Sequence, residues 1–283
     1  MLYVALAGLS GLIWGVGDFA GGKATQSAAA LPVVWVSKLV SLPLLAIYLV
    51  ATYVPVTPIG LAWGAMAGVA GLVGLVLFYR ALSAGAMTVV APVTGVTSAA
   101  IPVVAGLVWG ERPSGARLLG VGCALLAIAL VSIAPQAPRR PQIVSWRLVA
   151  VALGSGAGFG LFFVLLAVAG DAAGGSAGLW PIAGSQLSAL IIGGLLILMT
   201  RPGPWPRHAG FGFTMLAGPC DMTANALFLL ATRGGDLSIV APLAALYPVT
   251  TVILALLLDH ERLRGIQVAG LAFAVAALVL VSS

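Results

Sequence analysis

The chain has 283 residues, of which 61% are hydrophobic and only 7% are charged, and its formal net charge is +6. Ordinary soluble domains are about 25% charged, so this composition excludes a globular protein whose whole surface faces water. The basic residues are scattered singly and form no stripe or stacking platform, which also excludes a nucleic-acid-binding protein.

Ten apolar runs follow one another, and each approaches the length of about 20 residues that a helix needs to cross a bilayer. They occupy residues 2–22, 31–53, 59–84, 86–109, 115–134, 147–169, 179–200, 209–233, 237–258 and 264–282. Because the runs are continuous and about twice as long as barrel strands, they predict an all-α integral membrane protein with ten transmembrane helices. We interpret the first run as a retained span rather than a signal peptide, because no small-residue cleavage site follows it.

A repeat at an offset of 150 residues divides the ten runs into two sets of five. The matched pairs are Phe78/Phe228, Ala81/Ala231, Gly85/Gly235, Val90-Ala91-Pro92/Val240-Ala241-Pro242 and Glu111-Arg112/Glu261-Arg262, with Gly68/Gly218 and Gly120/Gly270 in the same register. Since five is odd, the second copy enters the membrane from the opposite side, an arrangement that many secondary transporters use for alternating access. We predict an N-terminal repeat over 1–135, a connecting loop over 136–146 and a C-terminal repeat over 147–283.

Prolines interrupt the fourth and ninth runs. Pro92 and Pro102 lie in the fourth run, and Pro242 and Pro248 lie in the ninth. Each proline removes a backbone hydrogen bond, which is tolerated at membrane depth only against protein or a water-filled cavity. Their recurrence in both copies predicts a central position for these two spans, with simple packing kinks as the alternative.

Asp221 lies midway along the eighth run, with Asn225 one helical turn further on the same face. An ionisable side chain at the bilayer centre costs about 2.5–3.5 kcal/mol on insertion scales, so it is expected to face a cavity or a partner. Asp221 is therefore a candidate to bind a proton or a substrate amine, and Asn225 a candidate to orient the substrate. The alternative is a structural carboxyl group that joins helices.

Two more ionisable residues, Asp18 and Lys38, lie within the first and second runs. We predict that they form a charge pair in one state of the transport cycle and break it in another. Three other roles are open for Lys38: pairing with Asp221, binding a substrate carboxylate, or extending along its stem to the membrane interface. The triplet Ser37-Lys38-Leu39 also resembles Ser185-Gln186-Leu187 in the second copy. Arg80, near the end of the third run, is interpreted as an interfacial anchor.

Three aromatic residues are further candidates for a substrate site. Tyr247 lies mid-run beside Pro248, Trp14 lies mid-run in the first span, and Tyr79 precedes Arg80. Packing is the alternative for each of them. The Glu-Arg pairs at 111–112 and 261–262 follow the fourth and ninth runs; they are interpreted as boundary charges, as caps of the next helix, or as parts of a gate.

The segment LSIVAPLAALYPVTTVILALLLDHERLRGIQVAGLAFAVAALVLV, residues 237–281, resembles the C-terminal repeat of EamA-type proteins in the drug/metabolite transporter superfamily. The segment GERPSGARLLGVGCALLAIALVSI, residues 110–133, resembles the first copy, and Trp14-Gly15 fits the same family. The resemblance implies ten helices in inverted repeats, no use of ATP, and export of a small metabolite such as an amino acid. Asp18-Phe19 departs from the family pattern, which leaves the substrate open.

From the resemblance we expect a transporter rather than an enzyme, located as a multi-pass protein in the plasma (inner) membrane. Its expected partners are the lipid bilayer and a small-molecule substrate, with a proton as the candidate coupling ion. No metal and no cofactor are expected, and the chain is expected to be a monomer or a homodimer.

The motif Gly15-Val16-Gly17-Asp18 raises two enzymatic alternatives. A dinucleotide-binding loop needs a preceding strand and a third glycine at a fixed spacing, and neither is present. An intramembrane aspartyl protease that uses Asp18 and Asp221 remains open, although presenilin-like proteases place the partner aspartate before this motif and a Pro-Ala-Leu after it. A passive channel or lipid scramblase is a third class.

The predicted topology places both termini on one side of the membrane. By charge, that side carries Arg112, Arg117 and Arg233, while the other carries Lys23, Arg80, Arg139, Arg140, Arg147, Arg201, Arg207, Arg262 and Arg264. The excess of basic residues predicts termini outside the cytoplasm, whereas the family resemblance implies the reverse. The two expectations conflict.

Overall fold

The computed structural model describes residues 1–83, 87–133, 145–172, 177–259 and 264–283. These ranges contain twelve α-helices: α1 (Leu2–Thr25), α2 (Ala30–Val40), α3 (Leu42–Thr52), α4 (Pro58–Ser83), α5 (Met87–Val108), α6 (Gly115–Val131), α7 (Trp146–Asp171), α8 (Trp180–Thr200), α9 (His208–Thr232), α10 (Leu237–Ala244), α11 (Tyr247–Leu258) and α12 (Gly265–Ser282).

These helices form ten spans, because α2 and α3 together make one span and so do α10 and α11. In the described ranges nine segments are long and apolar enough to cross a membrane, and α6 is a shorter apolar helix. The prediction of an all-α membrane protein with two five-span repeats is confirmed. We call the side of the bilayer that carries Met1 and Ser283 the terminus side, and the opposite side the far side.

The prolines act differently from the prediction in the fourth span. Helix α5 continues through Pro92 and Pro102 without a break, so the expected interruption there is wrong. In the ninth span the helix does break, at Ala245 and Leu246, and Pro248 stands in the first turn of α11. A proline is tolerated in a first turn because no intrahelical partner awaits its missing N–H group.

The repeat is visible in the contacts between α6 and α12. A Cβ atom on Gly120 would lie 3.1 Å from the backbone nitrogen of Val281, and one on Gly270 would lie 3.0 Å from the backbone nitrogen of Val131. Each glycine thus lets the opposite helix approach at the matching position. The match of Gly120 with Gly270 in the sequence repeat is therefore also present in the packing of α6 against α12.

A second pair of equivalent contacts relates α1 and α9 to α7 and α4. The Ser10 hydroxyl donates to the backbone carbonyl of Ala224 at 2.8 Å, and the Ser155 hydroxyl donates to that of Gly74, also at 2.8 Å. All four helices are rich in small residues, which allow membrane helices to approach closely. The two hydrogen bonds fix which residues of the two copies are equivalent.

The predicted boundaries of the two repeats remain a prediction, since residues 134–144 lie outside the described ranges. Helix α7 begins at Trp146, at the end of the predicted connecting loop.

Candidate functional site

Helix α1 lies between α9 and α11 because it has glycines where they approach it. A Cβ atom on Gly15 would lie 2.5 Å from the backbone oxygen of Tyr247, and one on Gly17 would lie 3.1 Å from the Cβ atom of Cys220. Larger residues at these positions would push the helices apart. The glycines of the G-x-G-D motif therefore serve helix packing, and they bring Asp18 to the junction of three helices.

Lys38 of α2 forms an ion pair with Asp221 of α9. The Nζ atom lies 2.5 Å from Oδ2, and the two side chains are 19% and 33% exposed, respectively. A charge within a membrane span is costly unless it is paired or meets water, and this pair meets the first condition. Of the predicted alternatives for Lys38, the structure selects the pair with Asp221.

Asp18 supplies a second carboxylate beside this pair. Its side chain is exposed, and the preceding residue packs against α9, where a Cβ atom on Gly17 would lie 3.6 Å from the backbone nitrogen of Asp221. Among the contacts of the described residues, the ion pairs involve Lys38 and Lys23, and neither lysine is paired with Asp18. The site therefore combines two carboxylates with one ammonium group, and the predicted Asp18–Lys38 pair is not formed in this conformation.

A set of neutral polar side chains surrounds the ion pair. The Gln186 amide donates to the Ser41 hydroxyl at 2.6 Å, and that hydroxyl donates to the backbone carbonyl of Lys38 at 2.8 Å. Ser41 stands at the junction of α2 and α3, so the hydrogen bonds hold the end of the helix that carries Lys38. The sequence analysis did not identify Ser41, and its position in a helix break has no local sequence signal apart from Pro43, two residues later.

Tyr48 and Thr223 are two further residues that the sequence analysis missed. The two hydroxyl groups lie 3.1 Å apart and link α3 to α9. Tyr48 is a single tyrosine in an apolar run, and its contact with a threonine two residues beyond Asp221 depends on the tertiary fold. Together with the ion pair, this hydrogen bond joins the second span to α9 at two levels.

Asn225 is 6% exposed, and its side-chain amide donates to the backbone carbonyl of Asp221 at 2.6 Å. The amide thus bonds within its own helix rather than to the carboxylate. Two residues before Asp221, Pro219 lies inside α9 and leaves the carbonyl four residues earlier without its usual donor. The helix backbone just before Asp221 therefore lacks one regular hydrogen bond.

The other predicted site residues lie at several places. Tyr247 begins α11 and faces the junction near Asp18. Trp14 is 7% exposed and packs against Phe163 and Phe228, with ring centroids at 5.4 and 5.9 Å; the structure places it in an aromatic core. The side chain of Tyr79 lies outside the described part of the chain. Pro92, Pro242 and Pro248 lie in α5, α10 and α11.

The charged site occurs in one copy of the repeat. A Cβ atom on Gly218 would lie 2.2 Å from the backbone oxygen of Ser37, and one on Gly68 would lie 2.4 Å from the backbone oxygen of Ser185. These equivalent contacts confirm the match of Ser37-Lys38-Leu39 with Ser185-Gln186-Leu187, so Gln186 stands where Lys38 stands in the other copy.

The two carboxylates have uncharged equivalents as well. The equivalent hydrogen bonds align Ser10 with Ser155 and Ala224 with Gly74. In this alignment Asp18 corresponds to Phe163, and Asp221 corresponds to Gly71. A Cβ atom on Gly71 would lie 3.2 Å from the Phe162 ring. In this copy, phenylalanine therefore replaces one carboxylate at Phe163, and the ring of Phe162 lies against Gly71 at the position of the other.

On the terminus side, Glu111 joins the two copies. Its carboxylate accepts hydrogen bonds from the backbone N–H groups of Leu237 and Ser238, at 2.7 and 2.8 Å. It therefore caps α10, a helix of the other copy. Capping of the next helix in the chain, one of the three alternatives, is carried out by Ser114. Glu261 and Arg262 lie outside the described residues.

The backbone after α5 positions Glu111 for this contact. Gly110 has a φ angle of 98°, and the N–H group of Glu111 donates to the carbonyl of Gly106 at 3.0 Å. This is a helix end of the Schellman type, in which glycine adopts the left-handed conformation at little cost. A second bond on the terminus side runs from the Trp180 indole to the carbonyl of Val54 at 3.0 Å.

Comparison with known proteins gives one family. The model of a family described as the EamA-like transporter family matches residues 1–133 and 146–283. No sequence among the curated proteins matches, whereas 25 chains of solved structures do. One of them, described only as a crystal structure of a protein, superposes with a TM-score of 0.80 at 15% identity and covers 99% of this chain and 98% of its own. At that identity the likeness shows the fold alone.

Proposed function

Since the chain belongs to the EamA-like transporter family of the drug/metabolite transporter superfamily, we propose that it exports a small organic metabolite by alternating access, driven by exchange with protons. The protein is a membrane transporter; the direction, the coupling ion and the location in the plasma membrane are parts of this proposal, as is a monomeric or homodimeric state.

The observation that carries the proposal is the partly exposed Lys38–Asp221 pair with Asp18 beside it. If this ion pair served only to join α2 to α9, we would expect both charged groups to be buried between the helices. Partial exposure of charged groups at membrane depth gives no packing benefit. An accessible pair can instead exchange its partners. A proton or substrate that reaches Asp221 competes with Lys38, and the competition changes how α2 is held against α9.

The contacts of Glu111 support a role for the terminus side in this cycle. Its carboxylate joins the end of α5 to the start of α10, and these helices belong to opposite copies of the repeat. Charge-assisted hydrogen bonds to a helix N-terminus are stronger than neutral ones. They stabilise a conformation in which the terminus side is closed, so opening to that side requires Glu111 to release α10.

Replacing Glu111 with Ala should open the terminus side more often. Hydrogen bonds to a charged group contribute about 1.5–3 kcal/mol, so we expect the open fraction to rise about tenfold or more. The measurement is labelling of an introduced cysteine, Ala245→Cys in a Cys123→Ser/Cys220→Ser background, by an impermeant maleimide added on the terminus side. Arg112→Ala is the matched control and should leave the labelling rate unchanged. Slower labelling in the Glu111 variant would contradict the closing role.

The site geometry supports transport over the aspartyl protease alternative. Such a protease needs two carboxylates that share a proton. Here Asp221 is paired with the ammonium group of Lys38 at 2.5 Å. A dyad with a lysine bound to one member is poorly suited to activating water, and the two-copy architecture has no role in that chemistry.

The function is tested with purified protein in liposomes loaded with a metabolite mixture. We expect that imposing a pH gradient accelerates the loss of one class of metabolite at least several-fold over the rate without a gradient. Empty liposomes and liposomes with Asp221→Asn protein are the controls. Equal efflux of every metabolite with and without the gradient would indicate a passive channel and contradict the proposal.

A further inference from the structure

The formal charges of the site do not cancel. When both carboxyl groups are ionised, Asp18 and Asp221 contribute two negative charges and Lys38 contributes one positive charge. The next cation along α1, Lys23, is bound to Asp259 at 2.5 Å near the far side of the membrane. The described neighbours Ser41, Tyr48, Thr223 and Gln186 are neutral, so one negative charge remains without a partner.

An uncompensated charge inside a membrane protein is strongly disfavoured because the surroundings have a low dielectric constant. A bound proton removes the excess charge, and so does a bound monovalent cation that exchanges with it. A zwitterion leaves it unchanged, and an anion increases it. The charge count therefore favours a cationic substrate over an amino acid or a carboxylate.

Lys38 occupies the place that such a cation would take. Its ammonium group lies 2.5 Å from Asp221 at the end of a flexible four-carbon stem, and the pair is accessible at 19% and 33%. Because the side chain can swing away, the lysine acts as a tethered competitor for the carboxylate. The exposed Asp18 follows Gly17 at the contact of α1 with α9, and Tyr247 begins α11 against Gly15 of the same helix. An aromatic ring adds attraction for a cation.

On the premise of the transport function above, we propose that the substrate is a monovalent organic ammonium ion without a carboxylate group, bound between Asp18 and Asp221 with displacement of Lys38. The other copy of the repeat has Phe163, Gly71 and Gln186 at the equivalent positions, so the cation binds once per chain. Gln186 also shows that glutamine fits the packing environment of a residue at the position of Lys38.

The test uses purified full-length protein in detergent and three probes that share a phenyl ring on a two-carbon chain: phenethylamine, 3-phenylpropionate and phenylalanine. Binding is measured by calorimetry, and n-butylamine serves as a second, smaller amine. We expect the wild type to bind at least one amine and to bind neither 3-phenylpropionate nor phenylalanine. Binding of a carboxylate-bearing probe in preference to both amines would overturn the proposal.

Variants separate the roles of the three charges. Lys38→Gln should bind the amine about tenfold more tightly, because removing an internal competitor raises the fraction of binding-competent sites. Asp18→Asn should bind it at least tenfold more weakly. Circular dichroism and gel filtration check folding, and Lys38→Met provides a second neutral residue if glutamine impairs folding. Weaker amine binding in both folded Lys38 variants would overturn the displacement of Lys38.

Counterflow in liposomes distinguishes this inference from the transport function. Uptake of a labelled carboxylate or zwitterion without uptake of either amine would refute the substrate class and leave the transport function standing. Amine binding in detergent without any counterflow or efflux would refute the transport function while the cation site stands.

Discussion

Asp221→Asn should lower the initial rate of substrate transport by about a hundredfold while the protein remains folded and inserted. The amide has almost the same shape as the carboxylate, but it cannot carry the charge that binds Lys38 at 2.5 Å. Removing one partner of a partly buried ion pair costs about 2–5 kcal/mol, which corresponds to roughly a thirtyfold change or more. The measurement is the initial rate of counterflow in liposomes that contain equal amounts of inserted protein.

Asp259→Asn is the matched control for this experiment. Asp259 forms an ion pair with Lys23 at the same distance of 2.5 Å and with similar exposure, 28% against 33% for Asp221. It lies beyond the end of α11, so its loss should change transport no more than a few-fold. Transport at the wild-type rate by Asp221→Asn would remove this carboxylate from the mechanism.

The double variant Lys38→Met/Asp221→Asn tests whether the pair has a role beyond stability. Removing both partners leaves no member of the pair buried without the other, so folding should recover relative to Asp221→Asn alone. Transport should not recover, because no group remains to bind the substrate or a proton at this position. Recovery of both properties would assign the pair to helix association only.

The spans were predictable from the sequence because hydrophobic length is a local property. An apolar run must cross a bilayer of fixed thickness, and the run from 31 to 53 became a single span even though its helix breaks at Ser41. The repeat was predictable for a related reason: equivalent packing requires equivalent small residues, as at Gly120 and Gly270. Both signals are present in the residues themselves.

The partners of the polar groups were not predictable in the same way. Lys38 had three reasonable alternatives, and which of them applies depends on the rotation of α2 against α9. The amide of Asn225 bonds to its own helix backbone, although a shared face with Asp221 suggested a contact between side chains. Helix rotation is set by close glycine contacts between distant segments, which periodicity does not report.

The prolines illustrate a further limit. Pro92 and Pro242 occupy the same register, yet α5 continues through the first while the ninth span breaks a few residues after the second. A missing hydrogen bond permits a break but does not require one, since neighbouring helices can supply partners. The contact with the facing helix does not decide the difference, because a Cβ atom on Gly11 would lie 2.9 Å from the carbonyl oxygen of Ala244 and one on Gly156 would lie 2.8 Å from that of Thr94.

Gly218→Ala should destabilise the protein and weaken substrate binding together. A Cβ atom at this position would lie 2.2 Å from the backbone oxygen of Ser37, so α2 and α9 must move apart. Overpacking of this kind costs about 1–3 kcal/mol. Because Ser37 precedes Lys38 and Gly218 lies one turn before Asp221, the same movement lengthens the ion pair. Thermal unfolding in detergent measures the loss of stability, and calorimetry with phenethylamine measures binding.

Two glycine variants separate the packing effect from the binding effect. Gly68→Ala places a Cβ atom 2.4 Å from the Ser185 oxygen in the equivalent contact of the other copy, so it should lower the unfolding temperature to a similar degree. It should leave amine affinity unchanged, because no charged pair lies there. Gly212→Ala lies on the same helix as Gly218, and nothing lies within 4 Å of its Cβ position, so both properties should stay near wild type. If Gly68→Ala weakens binding as much as Gly218→Ala, the charged site is not confined to one copy and its affinity depends on general stability.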